Sequence, residues 1–478
     1  MIRIVIAFFA LLSLFTSISA MASGGQLFQI TATEPLAGTN GSSISMTLCL
    51  NGKAALSCQN YTVSALTLSI MPAAKHTYPA AGIKINTPGY TPSGCTPNSN
   101  GYCLFTVSQS QPANITVSVN NIVPLLVNKG PHGVNAQNTA FVSITICEPG
   151  TNHCQVIDDI EVDTGSTGIR IISSVLDQNL NFPAVKSNGA PVAECYSYVS
   201  SAVWGSVKLA DVTIGGETAH SIPIQIMGDP TPPYATVPHS CTGTITDTVV
   251  SFGAKGIIGI NNFNPDCGTL CSNASPPTTG YYYSCDNTHC STSINLPLNM
   301  QLPQLATFFA VDNNGVILQL PSIPAAGEKS VVGSLIFGIG TAANNQLGSA
   351  VILPTDANGN FKTLYNNHLL VSYTDSGTNE YIFPNDGATS IPVMDDYYNP
   401  PQPLNLQATM IGHDDKSSRL VNFTIISEPT LPADITAALI ASPGSGFVWG
   451  LSFFYGHSLF TAINDANTIY GKGPYIAY

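Results

Sequence analysis

Short runs of alternating apolar and polar residues recur through the first quarter of the chain. Two examples are Leu66-Thr67-Leu68-Ser69-Ile70 and Ile115-Thr116-Val117-Ser118-Val119. Successive side chains of a strand point to opposite faces, so these runs predict strands with one buried face. Gly, Pro and Asn clusters interrupt the runs every ten residues or so, at roughly the spacing of turns in a β-sandwich. The pattern predicts a mainly β protein in which residues 25–121 form a β-sandwich module.

Residues 122–137 break this pattern, because Pro124, Gly130, Pro131 and Gly133 fall close together there. Proline lacks a backbone donor and glycine favours turns, so the stretch predicts a linker rather than a strand. Beyond the linker, apolar and alternating runs begin again and continue to the end of the chain. We therefore expect a second domain that begins near residue 138.

One tetrapeptide pattern occurs twice in this second domain. A predicted strand at residues 155–162 leads into Asp163-Thr164-Gly165-Ser166, and another at residues 369–374 leads into Asp375-Ser376-Gly377-Thr378. Each copy consists of an aspartate, a hydroxyl residue, a glycine and a second hydroxyl residue. Two chance copies have a probability of roughly one in a thousand, so we interpret the repeat as a functional motif.

Two aspartates brought together can activate water. Carboxyls about 3 Å apart cannot both ionise, so the pair shares one proton. The ionised carboxylate can then take a proton from a bound water, while the protonated carboxyl polarises a carbonyl group. The sequence therefore predicts Asp163 and Asp375 as a catalytic pair.

The other residues of the two copies are expected to support this pair. Each glycine lets the backbone approach a carboxyl and donate an N–H to it. The last hydroxyl of each copy can bond an outer carboxylate oxygen, and the hydroxyl after each aspartate can lock the two loops together. The supporting residues are Thr164, Gly165, Ser166, Ser376, Gly377 and Thr378.

With these motifs, residues 138–478 resemble a pepsin-type bilobal aspartic protease. They are more closely similar to an uncharacterised bacterial family known as domain of unknown function 3443. Two further segments, Gly256-Ile257-Ile258-Gly259-Ile260 and Phe447-Val448-Trp449-Gly450, match the apolar segments that brace the aspartate loops in pepsins. The resemblance implies an N-terminal lobe at residues 138–312 and a C-terminal lobe at residues 313–478. The preceding module resembles the immunoglobulin-like modules of secreted bacterial proteins.

The resemblance also implies a flap hairpin over the cleft. Tyr198 stands in the place of the flap tyrosine, and Tyr196 competes with it for that role. Arg170 stands where pepsins usually carry the tryptophan that bonds the flap tyrosine. It is expected either to balance the charge of Glu161 or Asp159, or to lie near the aspartates and lower their pKa values.

Charge excludes two classes of partner. Only 9% of the 478 residues are charged, and 14 Lys and Arg stand against 27 Asp and Glu, a net charge of −13. Nucleic acids and anionic membrane surfaces require clustered cations, which this chain lacks. The partner expected from the motifs is therefore a peptide or protein substrate, and the oligomeric state is left open.

The first 22 residues have the pattern of a signal peptide. Arg3 precedes the apolar run at residues 4–15, and Ala20-Met21-Ala22 offers small residues for cleavage. No later apolar run reaches the ~18 residues of a spanning helix. We expect export to the periplasm, the cell surface or the medium, without stable membrane insertion.

Cysteine usage agrees with export, since an even number of cysteines is typical of a disulfide framework. There are twelve, and close pairs such as Cys49/Cys58, Cys95/Cys103 and Cys147/Cys154 flank polar loops. Zinc is the alternative, with His153-Cys154 and His289-Cys290 as its candidate ligands. Paired C-x-x-C units are missing from the sequence, so we expect disulfides and neither a metal nor another cofactor.

These features predict an exported aspartic endopeptidase that hydrolyses peptide bonds with a water activated by Asp163 and Asp375. One alternative is a catalytically inactive protein that retains the aspartic-protease fold to bind proteins or glycans at the cell surface or in the periplasm. A third possibility is a structural surface protein dominated by its N-terminal module.

Overall fold

The computed structural model describes residues 28–35, 44–50, 58–63, 65–73, 77–86, 90–97, 102–119, 121–387 and 390–478. The signal peptide predicted for residues 1–22 lies outside these ranges. The described part of residues 1–120, together with 342–344, forms one compact unit, and residues 121–341 with 345–478 form another. Strands dominate both units, so the protein is mainly β as the sequence predicts.

The first unit contains two antiparallel sheets in its described residues. Their orders are β1-β4-β9-β6 and β3-β2-β5-β8-β7. The strands are β1 (Phe28–Pro35), β2 (Ile44–Cys49), β3 (Cys58–Val63), β4 (Ala65–Pro72), β5 (Tyr78–Ile85), β6 (Tyr90–Ser93), β7 (Thr96–Pro97), β8 (Cys103–Val107) and β9 (Ala113–Val119).

One apolar core joins the two sheets of the first unit. Leu68 and Ile70 of β4 contribute to it from the first sheet, and Leu48 and Ile83 contribute from the second. All four side chains are fully buried. The alternation read from the sequence thus identifies the buried face of β4, because residues two apart in a strand lie on one face.

The second unit is also built of strands. In its first half these are β10 (Ile122–Val127), β11 (Ala140–Cys147), β12 (Cys154–Asp163), β13 (Thr167–Ile172), β14 (Lys186–Ser187), β15 (Ala190–Ser197), β16 (Ala202–Ile214), β17 (Glu217–Met227), β18 (Gly256–Ile260), β19 (Tyr282–Cys285) and β20 (Cys290–Ser293). In its second half they are β21 (Gly315–Gln319), β22 (Val331–Phe337), β23 (Ile352–Pro354), β24 (Phe361–Tyr365), β25 (His368–Thr374), β26 (Tyr381–Phe383), β27 (Val393–Met394), β28 (Tyr397–Tyr398), β29 (Leu404–Ile411), β30 (Ser418–Ile425), β31 (Ala441–Pro443), β32 (Phe447–Trp449), β33 (Ser458–Ala462), β34 (Asn467–Thr468), β35 (Gly471–Lys472) and β36 (Tyr475–Ala477).

Two large sheets organise these strands. The larger has the order β20-β19-β15-β16-β17-β13-β18-β12-β11-β10-β22-β21-β33-β36-β23, and the other has the order β30-β29-β24-β25-β32-β26-β31. Ile160 and Val162 of the larger sheet belong to the same apolar cluster as Phe447 and Trp449 of the other. Leu370 of β25 also packs against this cluster, so the strands that lead into both aspartate motifs contact one core.

Helices are short throughout the described residues. These residues contain three α-helical turns, α1 (Val249–Phe252), α2 (Thr269–Ser272) and α3 (Leu451–Phe454). Separate 3-10 turns lie at Ser173–Val175, Leu298–Met300, Leu305–Phe308, Ala343–Asn345 and Glu428–Thr430. In this part of the chain, no helix has the length and apolarity to cross a membrane.

The linker expected at residues 122–137 is wrong for its first half. Strand β10 pairs with β22 along its whole length, whereas it pairs with β11 only at its last two residues. Leu125 and Val127 are fully buried and Pro124 is exposed. Alternate apolar side chains therefore determine a strand here, and a proline is tolerated where one side lacks a ladder partner.

All twelve cysteines are paired, which confirms the expected disulfides. The three local pairs named from the sequence are formed as expected, and Cys154 is thereby used in a disulfide rather than in a zinc site. The six bonds are Cys49–Cys58, Cys95–Cys103, Cys147–Cys154, Cys195–Cys241, Cys267–Cys271 and Cys285–Cys290.

Removing the Cys195–Cys241 bond should lower the free energy of unfolding more than removing a short-range bond. This bond spans 46 residues, whereas Cys285–Cys290 spans five. Loop-closure entropy gives about 4 kcal/mol for the long loop and about 2 kcal/mol for the short one. Denaturant unfolding of the two paired-alanine variants measures the difference; equal losses would contradict the loop-length argument.

Candidate active site

Strand pairing places Asp163 at the end of a buried strand. Strand β12 runs parallel to β18, with Asp163 opposite Gly259, and β13 pairs with the other edge of β18 in the antiparallel direction. A Cβ at Gly259 would lie 2.6 Å from the Thr167 backbone nitrogen. Position 259 therefore requires glycine, because β18 lies between β12 and β13, the strands on either side of the aspartate loop.

The second aspartate has the same surroundings. Strand β25 runs parallel to β32, and β26 pairs with β32 in the antiparallel direction. The Asp375 backbone N–H donates to the Trp449 carbonyl, 3.1 Å away. A Cβ at Gly450 would lie 2.0 Å from the Glu380 carbonyl oxygen, so glycine is again required beside the loop. The two motifs therefore occupy equivalent strand–loop–strand units.

Reciprocal hydrogen bonds join the two loops. The Thr164 backbone N–H donates to the Ser376 Oγ at 3.1 Å, and the Ser376 backbone N–H donates to the Thr164 Oγ1 at 2.9 Å. The Ser376 hydroxyl also donates to the Val162 carbonyl at 2.7 Å. These side chains are at most 2% exposed, so their bonds are protected from competing water. The loops are cross-linked through the residues that the sequence proposed for that role.

The two carboxyls lie side by side because each loop contains a glycine. A Cβ on Gly165 would lie 2.6 Å from Asp375 Oδ1, and a Cβ on Gly377 would lie 2.7 Å from Asp163 Oδ1. Each glycine also donates its N–H to the aspartate of its own loop, at 2.6 Å for Asp163 and 2.9 Å for Asp375. Any larger residue would push the carboxyls apart.

The hydroxyls that end the two motifs differ. Thr378 donates both its hydroxyl, at 2.8 Å, and its N–H, at 3.2 Å, to the carboxylate of Asp375. Ser166 lies near enough to Asp163 to lower the pKa of that carboxyl, yet its buried hydroxyl forms no well-aligned hydrogen bond. Asp375 therefore accepts three hydrogen bonds within its own loop, whereas Asp163 accepts one, from Gly165.

Burial raises the pKa of Asp163 to about 8, and the neighbouring charge of Asp375 acts in the same direction. The Asp163 side chain is only 5% exposed. A carboxyl in these surroundings holds its proton at neutral pH. The pair therefore carries one proton, on Asp163, over the range in which a shared-proton pair can act as acid and base.

A cavity of about 530 Å³ opens over the pair. Tyr198 lines it together with both aspartates, from the turn between β15 and β16, where its N–H donates to the Ser201 carbonyl at 2.8 Å. Tyr196 does not line the cavity. Of the two tyrosines considered for the flap, Tyr198 is the one that the hairpin places beside the carboxyls.

The roles expected for Arg170 are both wrong. Its fully buried guanidinium bonds Glu194 at 2.8 Å and Asp266 at 2.9 Å, and it lies 3.7 Å from the Tyr196 ring centroid. Asp159 instead pairs with Lys255 at 3.2 Å. Sequence spacing could not reveal partners that strand pairing brings from distant positions.

The ring contacts of Tyr196 continue this buried network towards the cavity. Tyr196 packs edge-on against Tyr198, with ring centroids 4.9 Å apart, and Tyr198 packs against Phe252 at 6.2 Å. Arg170 thus supports the hairpin from beneath through Tyr196, without bonding the Tyr198 hydroxyl. That hydroxyl has no hydrogen-bond partner within the described residues.

Two residues near the site were missed from the sequence. Asn138 is fully buried; its amide donates to the carbonyls of Ala438 and Asn379, at 2.7 and 2.8 Å, and so holds the segment that follows Asp375. A lone asparagine before a strand gives no sequence signal. Glu161 lines the cavity, and its spacing of two from Asp163 on a strand could have revealed it.

The site can supply a general base, a general acid and a peptide-sized cavity. Among the described residues, no group of three or more His, Cys, Asp or Glu is placed to hold a metal ion. His153 lies beside Glu148, 3.0 Å away, instead of facing a ligand cluster. The polar groups around the pair that line the cavity are chiefly carboxyls and hydroxyls.

Comparison with protein families adds one finding. The model of a family described as protein of unknown function (DUF3443) matches residues 117–478, which include both aspartate motifs and the cavity. Among curated proteins, none matches the chain.

Replacing Asp163 with asparagine should stabilise the protein at alkaline pH. Folding raises the pKa of Asp163 from 3.8 to about 8. The stabilisation that comes from its protonated carboxyl is therefore complete below pH 3.8 and is lost as the pH rises through about 8. The asparagine side chain stays neutral at every pH, so the variant should melt at a higher temperature than the parent above pH 8, with no such gain near pH 4.

Thermal unfolding of Asp163→Asn at both pH values measures this effect. Asp395→Asn is the matched control, because Asp395 is exposed and lies outside the cavity. An equal change in melting temperature at both pH values would contradict the burial of a proton on Asp163.

Proposed function

The chain belongs to this family of proteins of unknown function, and we propose that it is an aspartic endopeptidase. The observation that carries the proposal is the pair formed by Asp163 and Asp375, each approached by the glycine of the opposite loop. Two carboxyls held this closely, with one proton between them, are suited to activating a water for attack on a carbonyl.

The unequal bonding of the two carboxyls assigns their roles in the proposed reaction. Asp375, which accepts three donors from Gly377 and Thr378, is the carboxylate that removes a proton from water. Asp163 holds its proton and donates a hydrogen bond to the peptide carbonyl. Hydroxide addition gives a tetrahedral intermediate. Proton return to the amide nitrogen then breaks the C–N bond and releases a new acid and a new amine.

We propose further that the second unit has the pepsin-like bilobal fold. The support is its repetition of one local arrangement, in which β12, β18 and β13 correspond to β25, β32 and β26. The hairpin of β15 and β16, with Tyr198 at its turn, is then the flap. On this proposal the lobes keep the boundaries predicted at residues 138–312 and 313–478.

We also propose an exported location and an immunoglobulin-like first module. Six disulfides are typical of an oxidising compartment. Two sheets that share one core support a sandwich module. Peptides or unfolded proteins outside the cytoplasm are then the substrates.

Binding without turnover is the second candidate function, and the flap hairpin is the feature that favours it. Arg170 replaces the expected tryptophan and bonds Glu194 and Asp266, while the Tyr198 hydroxyl lacks a partner within the described residues. A flap that positions substrate less firmly would weaken catalysis more than binding.

Asp163→Asn and Asp375→Asn should each lower kcat/KM for peptide cleavage by roughly 10⁴-fold or more, because the two carboxyls act as one unit. The assay follows cleavage of a quenched peptide mixture by the mature chain, with Asp395→Asn as the control. Full activity in either variant would overturn the pair; cleavage by no form of the protein would favour binding without turnover.

Activity should decline as pH rises through about 8, because the reaction requires the proton that Asp163 holds with this raised pKa. The reason is burial, with the charge of Asp375 adding to it. The profile of kcat/KM from about pH 3 to about pH 10 measures this limb. An alkaline limb centred near pH 5 would show that the proton is held far less tightly than the structure implies.

A further inference from the structure

The cavity over the aspartates carries more acidic groups than the proposed hydrolysis uses. Glu161 and Glu380 line it together with Asp163 and Asp375. Among the described residues that line it, none is lysine, arginine or histidine. A cleft lined by charges of one sign attracts ligands of the opposite sign.

Glu161 is the acidic group closest in the chain to the reacting pair. It precedes Asp163 by two positions on β12, so the two side chains leave the same face of the strand, about 7 Å apart at their backbones. That spacing is the distance between alternate residues of an extended peptide. A substrate residue beside the scissile bond can therefore reach Glu161 while its carbonyl lies at the aspartates.

No group of the described chain neutralises Glu161. Its carboxyl takes part in neither a hydrogen bond nor an ion pair there, whereas Glu380 accepts the Ser442 hydroxyl at 3.0 Å. The pKa of Glu161 is raised well above its usual value by burial and by the two aspartates. The Glu161 side chain is partly exposed in the cavity wall, so a cationic ligand there can supply the partner that the carboxyl lacks.

Two cations on segments close to β12 in the sheet already have partners. Arg170 is fully buried with Glu194 and Asp266, and Lys255 pairs with Asp158 and Asp159 on the surface. Neither of these two cations is available to pair with Glu161.

Two buried hydroxyls in the cavity wall also lack partners. Tyr198 Oη and Thr246 Oγ1 are inaccessible to solvent and form no hydrogen bond in the described part of the chain. Both residues line the cavity with Glu161. Either hydroxyl can donate or accept a hydrogen bond once rotation of its side chain turns it towards a ligand in the cavity.

We propose that Glu161 is a specificity-determining residue that selects peptides with a lysine or arginine next to the scissile bond. This proposal rests on the proposed endopeptidase activity and names its substrate class. The cationic side chain pairs with the Glu161 carboxylate and leaves the peptide carbonyl at Asp163 and Asp375. A neutral side chain of the same length would leave Glu161 without a partner.

The test uses two peptides that differ only in lysine or norleucine at the residue beside the cleavage site. A hydrogen bond between charged groups corresponds to roughly a tenfold or larger preference, so kcat/KM of the full mature chain should favour the lysine peptide by about that ratio. Glu161→Gln keeps the shape and removes the charge, and it should bring the ratio close to one.

Glu217→Gln is the matched control, because Glu217 is also a glutamate with a raised pKa but does not line the cavity. It should keep the ratio of the parent protein. An arginine peptide should behave as the lysine peptide does, and a glutamate peptide should be cleaved least.

The outcomes separate this proposal from the proposed activity. Cleavage without preference for lysine, or a preference that survives Glu161→Gln, overturns the role of Glu161 and leaves the endopeptidase intact. If neither peptide is cleaved, the endopeptidase proposal fails, and equilibrium binding of the two peptides to the parent and Glu161→Gln proteins decides the role of Glu161. Equal affinities in the parent would then overturn it.

Discussion

Two carboxyls can be buried side by side only when their loops are held together and a proton is retained between them. Here the loops are held by the reciprocal bonds of Thr164 and Ser376, at 3.1 and 2.9 Å. The space for close approach comes from Gly165 and Gly377. The repulsion of two like charges is relieved by the proton on Asp163, whose pKa burial raises to about 8. The strand pairing around each motif holds the two aspartate loops in these positions.

The charged and acidic side chains around the pair form two separate groups, one beneath the hairpin and one in the cavity wall. Beneath the hairpin, Arg170 forms buried ion pairs with Glu194 and Asp266. Beside the pair, Glu161 and Glu380 line the cavity, and none of its described lining residues is lysine, arginine or histidine. A buried ion pair of this kind fixes geometry more than it adds stability. Here it fixes Tyr196, against which Tyr198 packs.

The features of the site and the fold that could be predicted from the sequence are local ones. The repeated motif around Asp163 and Asp375 and the short-range cysteine pairs are signals contained within a few residues. Burial of Leu125 and Val127 against a distant strand overrode the turn residues that predicted a linker. The partners of Arg170 lie on a distant strand, at Glu194, and in a distant loop, at Asp266. Such contacts depend on register between distant segments, which composition and spacing do not determine.

The central claim is that Asp163 and Asp375 act together on one tetrahedral centre. It is tested most directly by a crystal structure of the protein with a peptide that carries a secondary hydroxyl in place of the scissile carbonyl. The account predicts that the hydroxyl binds between the two carboxyls, within hydrogen-bond distance of both, with the flanking side chain towards Glu161. A peptide bound elsewhere, or a hydroxyl that contacts neither aspartate, would contradict it.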